Sequence, residues 1–414
     1  MAHYLAYTSP SRGHLYPIVP MLAELRRRGH SVALRTLAEE VDRMRSLGFA
    51  AAPIAAAIEA RALDDWTTTS QTAALAHAAR TFIDRAQHEV PDLRAAIAAE
   101  RPDALLIDVN AWGATAAAET SRLPWALFSP YCLPLPSRDA PPFGLGLAPR
   151  PDALGRLRDA IVRRVVHGLI NRQLPSLNAM RAGVGARPIA EMDSYAAAAP
   201  LVLALTAEPF EYPRRDWPKS VRLVGPGIWD PPSEPPPWLD ESSEPLVLVT
   251  ASTERQDDGR LIETALAGLR DEPMRLVVTT AAIDPARFPA QPRARIERFL
   301  PHGPLLARAA VVVCHGGMGI TQKALAAGVP VCVVPFGRDQ PEVARRVEVA
   351  GAGTRLPASR LRPDRLRAAV RKAIACKAGA ERIAAAFSAK GAGVAVDALE
   401  ELLPFAQRGR RPAA

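Results

Sequence analysis

The sequence predicts an α/β protein made of two doubly wound, Rossmann-like domains. Three observations lead there. The chain has 414 residues, beyond the size at which a single core keeps growing. Short, wholly apolar runs alternate with amphipathic stretches in both halves, the pattern of parallel strands covered by helices on both faces. A Pro-dense segment separates the halves. With 48% hydrophobic and 23% charged residues, the composition is that of a folded globular protein.

Taken in order, residues 4–8 read as a strand. Residues 17–28 read as a helix, with Pro17 in its first turn and Gly29 just past its end. Strands are expected at 31–36 and 49–54, a long helix at 71–100, and buried strands at 104–107 and 125–128. Residues 131–151, rich in Pro and Gly, read as a surface loop, and 154–180 as helix. Between 226 and 245 lie Pro231-Pro232 and Pro235-Pro236-Pro237. That is too much Pro for a helix or central strand, so a stiff linker is expected. A second series follows, with strands at 246–250, 275–279, 294–298, 310–314 and 329–334. Its helices are expected at 260–269, 320–327, 341–349 and 362–375. The expected division is 1–225, linker 226–245, 246–390, and a helical tail 391–414 returning to the first domain. Two such domains facing one another place a ligand cleft at the carboxyl ends of both sheets.

The formal charge is +9, carried almost wholly by Arg scattered along the chain. Such a balance favours anionic partners, phosphates among them, although a solvated Arg-rich surface is the plainer explanation. No basic run is interleaved with aromatics, so nucleic acid is not expected as a partner. Cys132, Cys314, Cys332 and Cys376 have no metal-ligand spacing and read as reduced thiols. The first apolar run breaks at Ser9-Pro10-Ser11 without a basic leader, against a signal peptide. The longest apolar stretch, 196–207, is shorter than the roughly 20 residues a bilayer span needs. A cytoplasmic protein with no transmembrane segment is expected. There is no Asp-x-Asp triplet, so neither a metal nor a resident cofactor is expected.

The chemistry begins at Val311-Val312-Val313-Cys314-His315-Gly316-Gly317-Met318-Gly319-Ile320. An apolar strand runs into a Gly-rich turn that opens a helix. Amides at a helix N-terminus and the macrodipole bind anions, the glycines let phosphate oxygens approach the backbone, and His315 can donate a further hydrogen bond. Glycines serving only close packing are the alternative.

The turn belongs to a longer pattern. Phe299-Leu300-Pro301-His302 precedes it, Ala326-Ala327-Gly328-Val329-Pro330 follows, and Pro335-Phe336-Gly337-Arg338-Asp339-Gln340 comes next. Together these resemble the donor-binding signature of the family-one UDP/TDP-sugar glycosyltransferases, in particular the bacterial antibiotic and macrolide enzymes. The resemblance implies the GT-B fold, with a nucleotide sugar as co-substrate. It assigns donor binding to Ser252, Thr253, Phe299, Leu300, His302, His315, Gly316, Gly317, Met318, Gly319, Ile320, Asp339 and Gln340. At the other end, Ser11-Arg12-Gly13-His14-Leu15-Tyr16-Pro17 is similar to the family's catalytic loop. That makes His14 the general base, with Asp108 its orienting carboxylate. Capping is the bland role for Asp108 and for Asp339–Gln340, and a plain turn for Ser252-Thr253. The sequence departs from the family pattern at Ile320, Lys323, Val343 and Phe299, which bears on the choice of donor.

For the acceptor, Trp66, Phe82, Trp112, Tyr131 and Phe143 suit a flat lipophilic aglycone, with core packing as the alternative. A nicotinamide oxidoreductase would open its first strand into Gly-x-Gly-x-x-Gly, whereas Ser9 to Pro17 holds one glycine. The expectation is therefore an inverting transfer of sugar to a hydrophobic natural product. The rival is a non-catalytic nucleotide-sugar-binding partner of another transferase.

Overall fold

In the computed structural model, which describes residues 1–64, 71–240, 244–252 and 258–404, the apolar runs line up in two sheets. The first holds β1 (His3–Tyr7), β2 (Ser31–Thr36), β3 (Ala50–Pro53), β4 (Ala104–Asp108), β5 (Trp125–Ser129), β6 (Val202–Ala204) and β7 (Val221–Leu223), ordered β3-β2-β1-β4-β5-β6-β7. The second holds β8 (Leu246–Thr250), β9 (Arg275–Thr279), β10 (Ala294–Glu297), β11 (Ala309–Cys314), β12 (Val331–Val333) and β13 (Gly353–Arg355), ordered β10-β9-β8-β11-β12-β13. Every pairing between these strands is parallel.

Both faces of each sheet are covered, which explains why the strands read as unbroken apolar runs. Side chains alternate across the pleat: Tyr4 and Ala6 of β1 enter one core, Leu5 and Tyr7 the other. All five residues of β4, β5 and β8 are buried. The strand order reverses between β1 and β4, and again between β8 and β11. Such switch points open the crevice in which doubly wound sheets bind ligands.

Some boundaries differ from expectation for local reasons. The helix expected over 154–180 is two helices, Ala153–Ile170 and Leu174–Gly183, separated by a 3-10 turn at Asn171–Gln173. Pro175 sits in the first turn of the second, where a missing N–H costs nothing. β6, β7 and β13, three residues each, are too short to show a periodicity. Within the Pro-rich segment, Pro237–Asp240 forms one 3-10 turn where no helix was expected.

The two halves touch through buried charge. The Arg346 guanidinium, 2% exposed, reaches Glu211 Oε1 of the first half at 2.8 Å and Glu342 Oε2 at 2.9 Å, and lies 4.3 Å over the Tyr212 ring. Glu342 Oε1 accepts from the amides of Gly144 and Gly146, both at 2.8 Å. The last described helix, Ala392–Glu401, packs against Val19–Arg27. There Arg28 reaches Asp397 at 2.6 Å and Glu400 at 3.1 Å, and His30 Nε2 lies 2.9 Å from Glu400. Where the chain returns, the Gly391 amide donates to the Val224 carbonyl at 2.6 Å. A Cβ on Gly225 (φ +84°) would lie 2.5 Å from that of Lys390. Among the described residues no helix is long and apolar enough to cross a membrane.

Candidate active site

The first switch point carries His14. Beyond β1, Ser11 caps a one-turn helix, Arg12–Leu15, its hydroxyl accepting from the Gly13 amide at 3.2 Å. This aims the His14 ring back at the end of β4. Its Nδ1 lies 2.9 Å from both oxygens of Asp108, which is fully buried. A carboxylate only accepts, so Nδ1 holds the proton and Nε2 presents its lone pair, as a base requires.

Asp108 is held from other sides too. Its Oδ2 accepts from the Ser9 amide at 2.9 Å and the Ser9 hydroxyl at 2.7 Å, and its Oδ1 from the Asn110 amide at 2.9 Å. Burial alone would push this carboxyl up. The His14 charge, its hydrogen bond and these amides outweigh burial and hold Asp108 below the usual carboxylate range. The helix Trp112–Thr120 that follows has no side-chain cap from Asp108. Its Gly113 amide instead donates to Glu89 Oε2 at 2.8 Å. Glu89 is completely buried, and burial pushes its pKa up to about 8.

Next to this pair, Asn110 Nδ2 lies 3.3 Å from His14 Nε2, and the Tyr131 hydroxyl donates to Asn110 Oδ1 at 2.8 Å. The Tyr131 ring meets the His14 ring edge-on, centroids 5.9 Å apart. Asp339 comes to this place from the other half. Burial raises its carboxyl, while the charges of Arg338 and His14 pull it back down.

The second switch point carries the glycine turn. Gly317 is the N-cap of the helix Met318–Ala326, and no side chain caps its first turn. A helix start of this kind can receive an anion through its amides and dipole. Gly316 has φ +96° and so demands glycine, and a Cβ on Gly317 would stand 2.4 Å from His315 Nε2, displacing that ring. Burial lowers the His315 imidazole to about 4, and the Arg338 charge adds to the effect. His315 is therefore neutral near pH 7. Its Nδ1 sits 3.9 Å from Asp258, whose carboxylate accepts from the Ser252 amide at 2.5 Å.

The remaining expected residues divide. Met318 is buried, and Ile320 and Leu300 pack on the second domain's core, while Phe299 is 64% exposed. His302, its Nε2 3.2 Å from Thr279 Oγ1, is lowered to about 4 by burial and by Lys323. Lys323 itself is paired with Asp230. Gln340 is buried, and its Oε1 accepts from the Phe336 and Gly337 amides at 2.7 and 3.1 Å. That oxygen ties the loop together. Asp339 is the N-cap residue of Gln340–Val349 but makes no side-chain cap bond, so the capping reading does not hold for it.

Of the acceptor candidates, Tyr131 adjoins His14. Trp112 is buried in a core with Tyr195, Leu177 and Phe82, and Phe143 packs against the second domain's core. Trp112 and Phe143 both make packing contacts there, and Phe143 stays partly exposed. Trp66 and Thr253 lie outside the described residues. Asn110, Asp258 and Glu89 escaped the sequence reading, since each matters through a partner remote in the chain. His167, Glu191 and Asp193 form a partly exposed group with metal-like spacing that was also missed. None of the three belongs to the residues above.

Two facing Rossmann-like domains with a His–Asp pair at one switch point and a helix N-terminus at the other define the GT-B class of glycosyltransferases. The comparisons agree. The chain is 33% identical over 425 residues to 4'-demethylrebeccamycin synthase of Lentzea aerocolonigenes, covering 97% of this chain and 100% of that protein. Residues 272–400 match the erythromycin biosynthesis protein CIII-like C-terminal domain. Among solved structures, the glycotransferase of kitacinnamycin superposes with a TM-score of 0.75 at 25% identity, covering 97% of this chain and 99% of that one. The spinosyn rhamnosyltransferase SpnG complexed with thymidine diphosphate superposes with a TM-score of 0.70 at 19% identity, covering 95% and 98%. The chain belongs to the family-one GT-B glycosyltransferases of antibiotic and natural-product biosynthesis.

Proposed function

We propose that this glycosyltransferase moves a hexose, with inversion, from a UDP- or TDP-sugar to a hydroxyl of a lipophilic natural product. His14 takes the hydroxyl proton at Nε2, Asp108 holds the tautomer and stabilises the imidazolium, and the acceptor oxygen attacks the anomeric carbon as the nucleotide leaves. The diphosphate is received by the Met318–Ala326 helix N-terminus, with neutral His315 donating alongside. Single displacement by an activated hydroxyl inverts the anomeric centre. One arrangement supports this reading above the rest: the buried Asp108 with His14 Nδ1 at 2.9 Å from both of its oxygens.

The test incubates purified protein with TDP- and UDP-sugars and a panel of aromatic polycyclic and macrolide acceptors, following product by mass shift. His14→Ala is expected to lower transfer at least ~100-fold while leaving nucleotide binding intact. Unchanged transfer by that variant refutes the base assignment. Nucleotide-induced thermal stabilisation without transfer to any acceptor would instead indicate a non-catalytic partner.

A further inference from the structure

We infer that Asn110 and Tyr131 form a lock on the protonation state of His14, a positioning device that keeps Nε2 unprotonated until an acceptor hydroxyl arrives. This rests on the reading of His14 as the base.

The argument starts from donors and acceptors. Asn110 presents a carbonyl oxygen, which only accepts, and an amide nitrogen, which only donates. The Tyr131 hydroxyl lies 2.8 Å from Oδ1. Burial raises that phenol far above its usual range, and Asp108 and Asp339 push the same way. The phenol therefore keeps its proton, and in the structure its O–H donates to Oδ1. With Oδ1 claimed, the amide is fixed in one of its two orientations, and Nδ2 is the atom that faces His14 Nε2 at 3.3 Å.

That orientation favours one state of the ring. An N–H directed at Nε2 is matched by a lone pair and opposed by a second N–H. Neutral His14 is accommodated, whereas an imidazolium meets donor against donor. The surrounding charges work the other way. Asp108 at the end of β4 and Asp339 from the second domain both favour the cation. Glu89, under the same helix, is a further carboxyl coupled to Asp108. Both carboxylates favour the protonated imidazole, the form that cannot act as a base. The Asn110 amide, fixed by Tyr131, offsets them. An incoming hydroxyl replaces Nδ2 at Nε2 and donates there instead. Once product leaves, the amide faces Nε2 again and favours the neutral ring.

Two variants and one cycle test this. Asn110→Ala removes the opposing donor. Tyr131→Phe releases the amide to turn its Oδ1 toward a protonated Nε2. Each is expected to move the acid limb of the pH profile of kcat/KM upward by about half to one pH unit, the equivalent of one hydrogen bond. Asn110→Ala/Tyr131→Phe is expected to move no further than Asn110→Ala, because Tyr131 acts through Asn110. In parallel, the His14 ring is titrated by 15N NMR in the substrate-free wild type and variants. The same upward displacement is expected there. That readout stands even if His14→Ala shows that His14 is not the base, so the two failures are distinguishable. Loss of activity by an equal factor at every pH, with an unmoved NMR titration, would assign Asn110 and Tyr131 a structural role and overturn the proposal.

Discussion

Asp108→Asn exchanges one oxygen for an NH2 group at the centre of the site. The native carboxylate accepts from Ser9 N and Oγ, from Asn110 N and from His14 Nδ1. An amide offers one acceptor oxygen and one donating nitrogen in their place. If the nitrogen replaces Oδ1 it opposes the Asn110 N–H. If it replaces Oδ2 it opposes the Ser9 N–H. Either way one buried donor is orphaned, at about 1–3 kcal/mol. The ring pays as well, because a donor facing Nδ1 drives its proton to Nε2, the wrong tautomer for a base. A fall in kcat on the order of 10³-fold to 10⁴-fold follows, the magnitude typical of triads so altered. The assay is nucleotide release at saturating donor, with melting recorded alongside. The pH dependence has a definite sign. The folded-state pKa of Asp108 lies below its unfolded value, so its stabilisation is present above about pH 4 and is lost as pH falls through the folded pKa. The melting gap between wild type and variant should therefore narrow in acid. A kcat within tenfold of wild type, with the Tm unchanged, would refute the reasoning.

Other expectations follow from the same geometry. Arg346→Ala strands Glu211 and Glu342 in the interior and should cost about 3–5 kcal/mol, read by urea unfolding; a loss below 1 kcal/mol would contradict the buried clasp. Gly317→Ala drives a methyl against His315 Nε2, so donor KM should rise at least ~10-fold with the fold intact by circular dichroism; an unchanged KM would remove the turn from donor binding. Glu89 is raised to about 8, so the stabilisation linked to its protonated form is full below about pH 4 and is lost as pH rises through 8. Glu89→Gln should accordingly melt higher than wild type at pH 8, with the advantage shrinking at pH 5. An advantage that grew in acid would have the linkage reversed.

The layout of the molecule is legible from its apolar runs because each parallel strand is buried on both faces. In a doubly wound fold the residues just past each strand line the crevice, so His14 after β1, Asp108 ending β4 and His315 after β11 stand out without coordinates. Side chains that act through a distant partner do not. Asn110 meets a ring 96 positions away, Glu89 meets an amide 24 away, and nothing local marks Asp258. Aromatics disclose their type but not their direction. Trp112 turns into a helix-lined core while Tyr131 turns to His14, and rotamer and packing decide that difference. Asp230 likewise lies in the Pro-rich segment, yet ends against Lys323 near His302.

The hydrogen bond from Gly391 to Val224 ties the returning chain to the outgoing one. The strand of chain leaving the first domain and the one coming back are fastened side by side, as two ropes tied at a single pin. The two crossings are thereby held at one place, beside the close approach of Gly225 to Lys390. The last described helix, tied to the first lobe by Arg28, holds the returning chain beside that crossing.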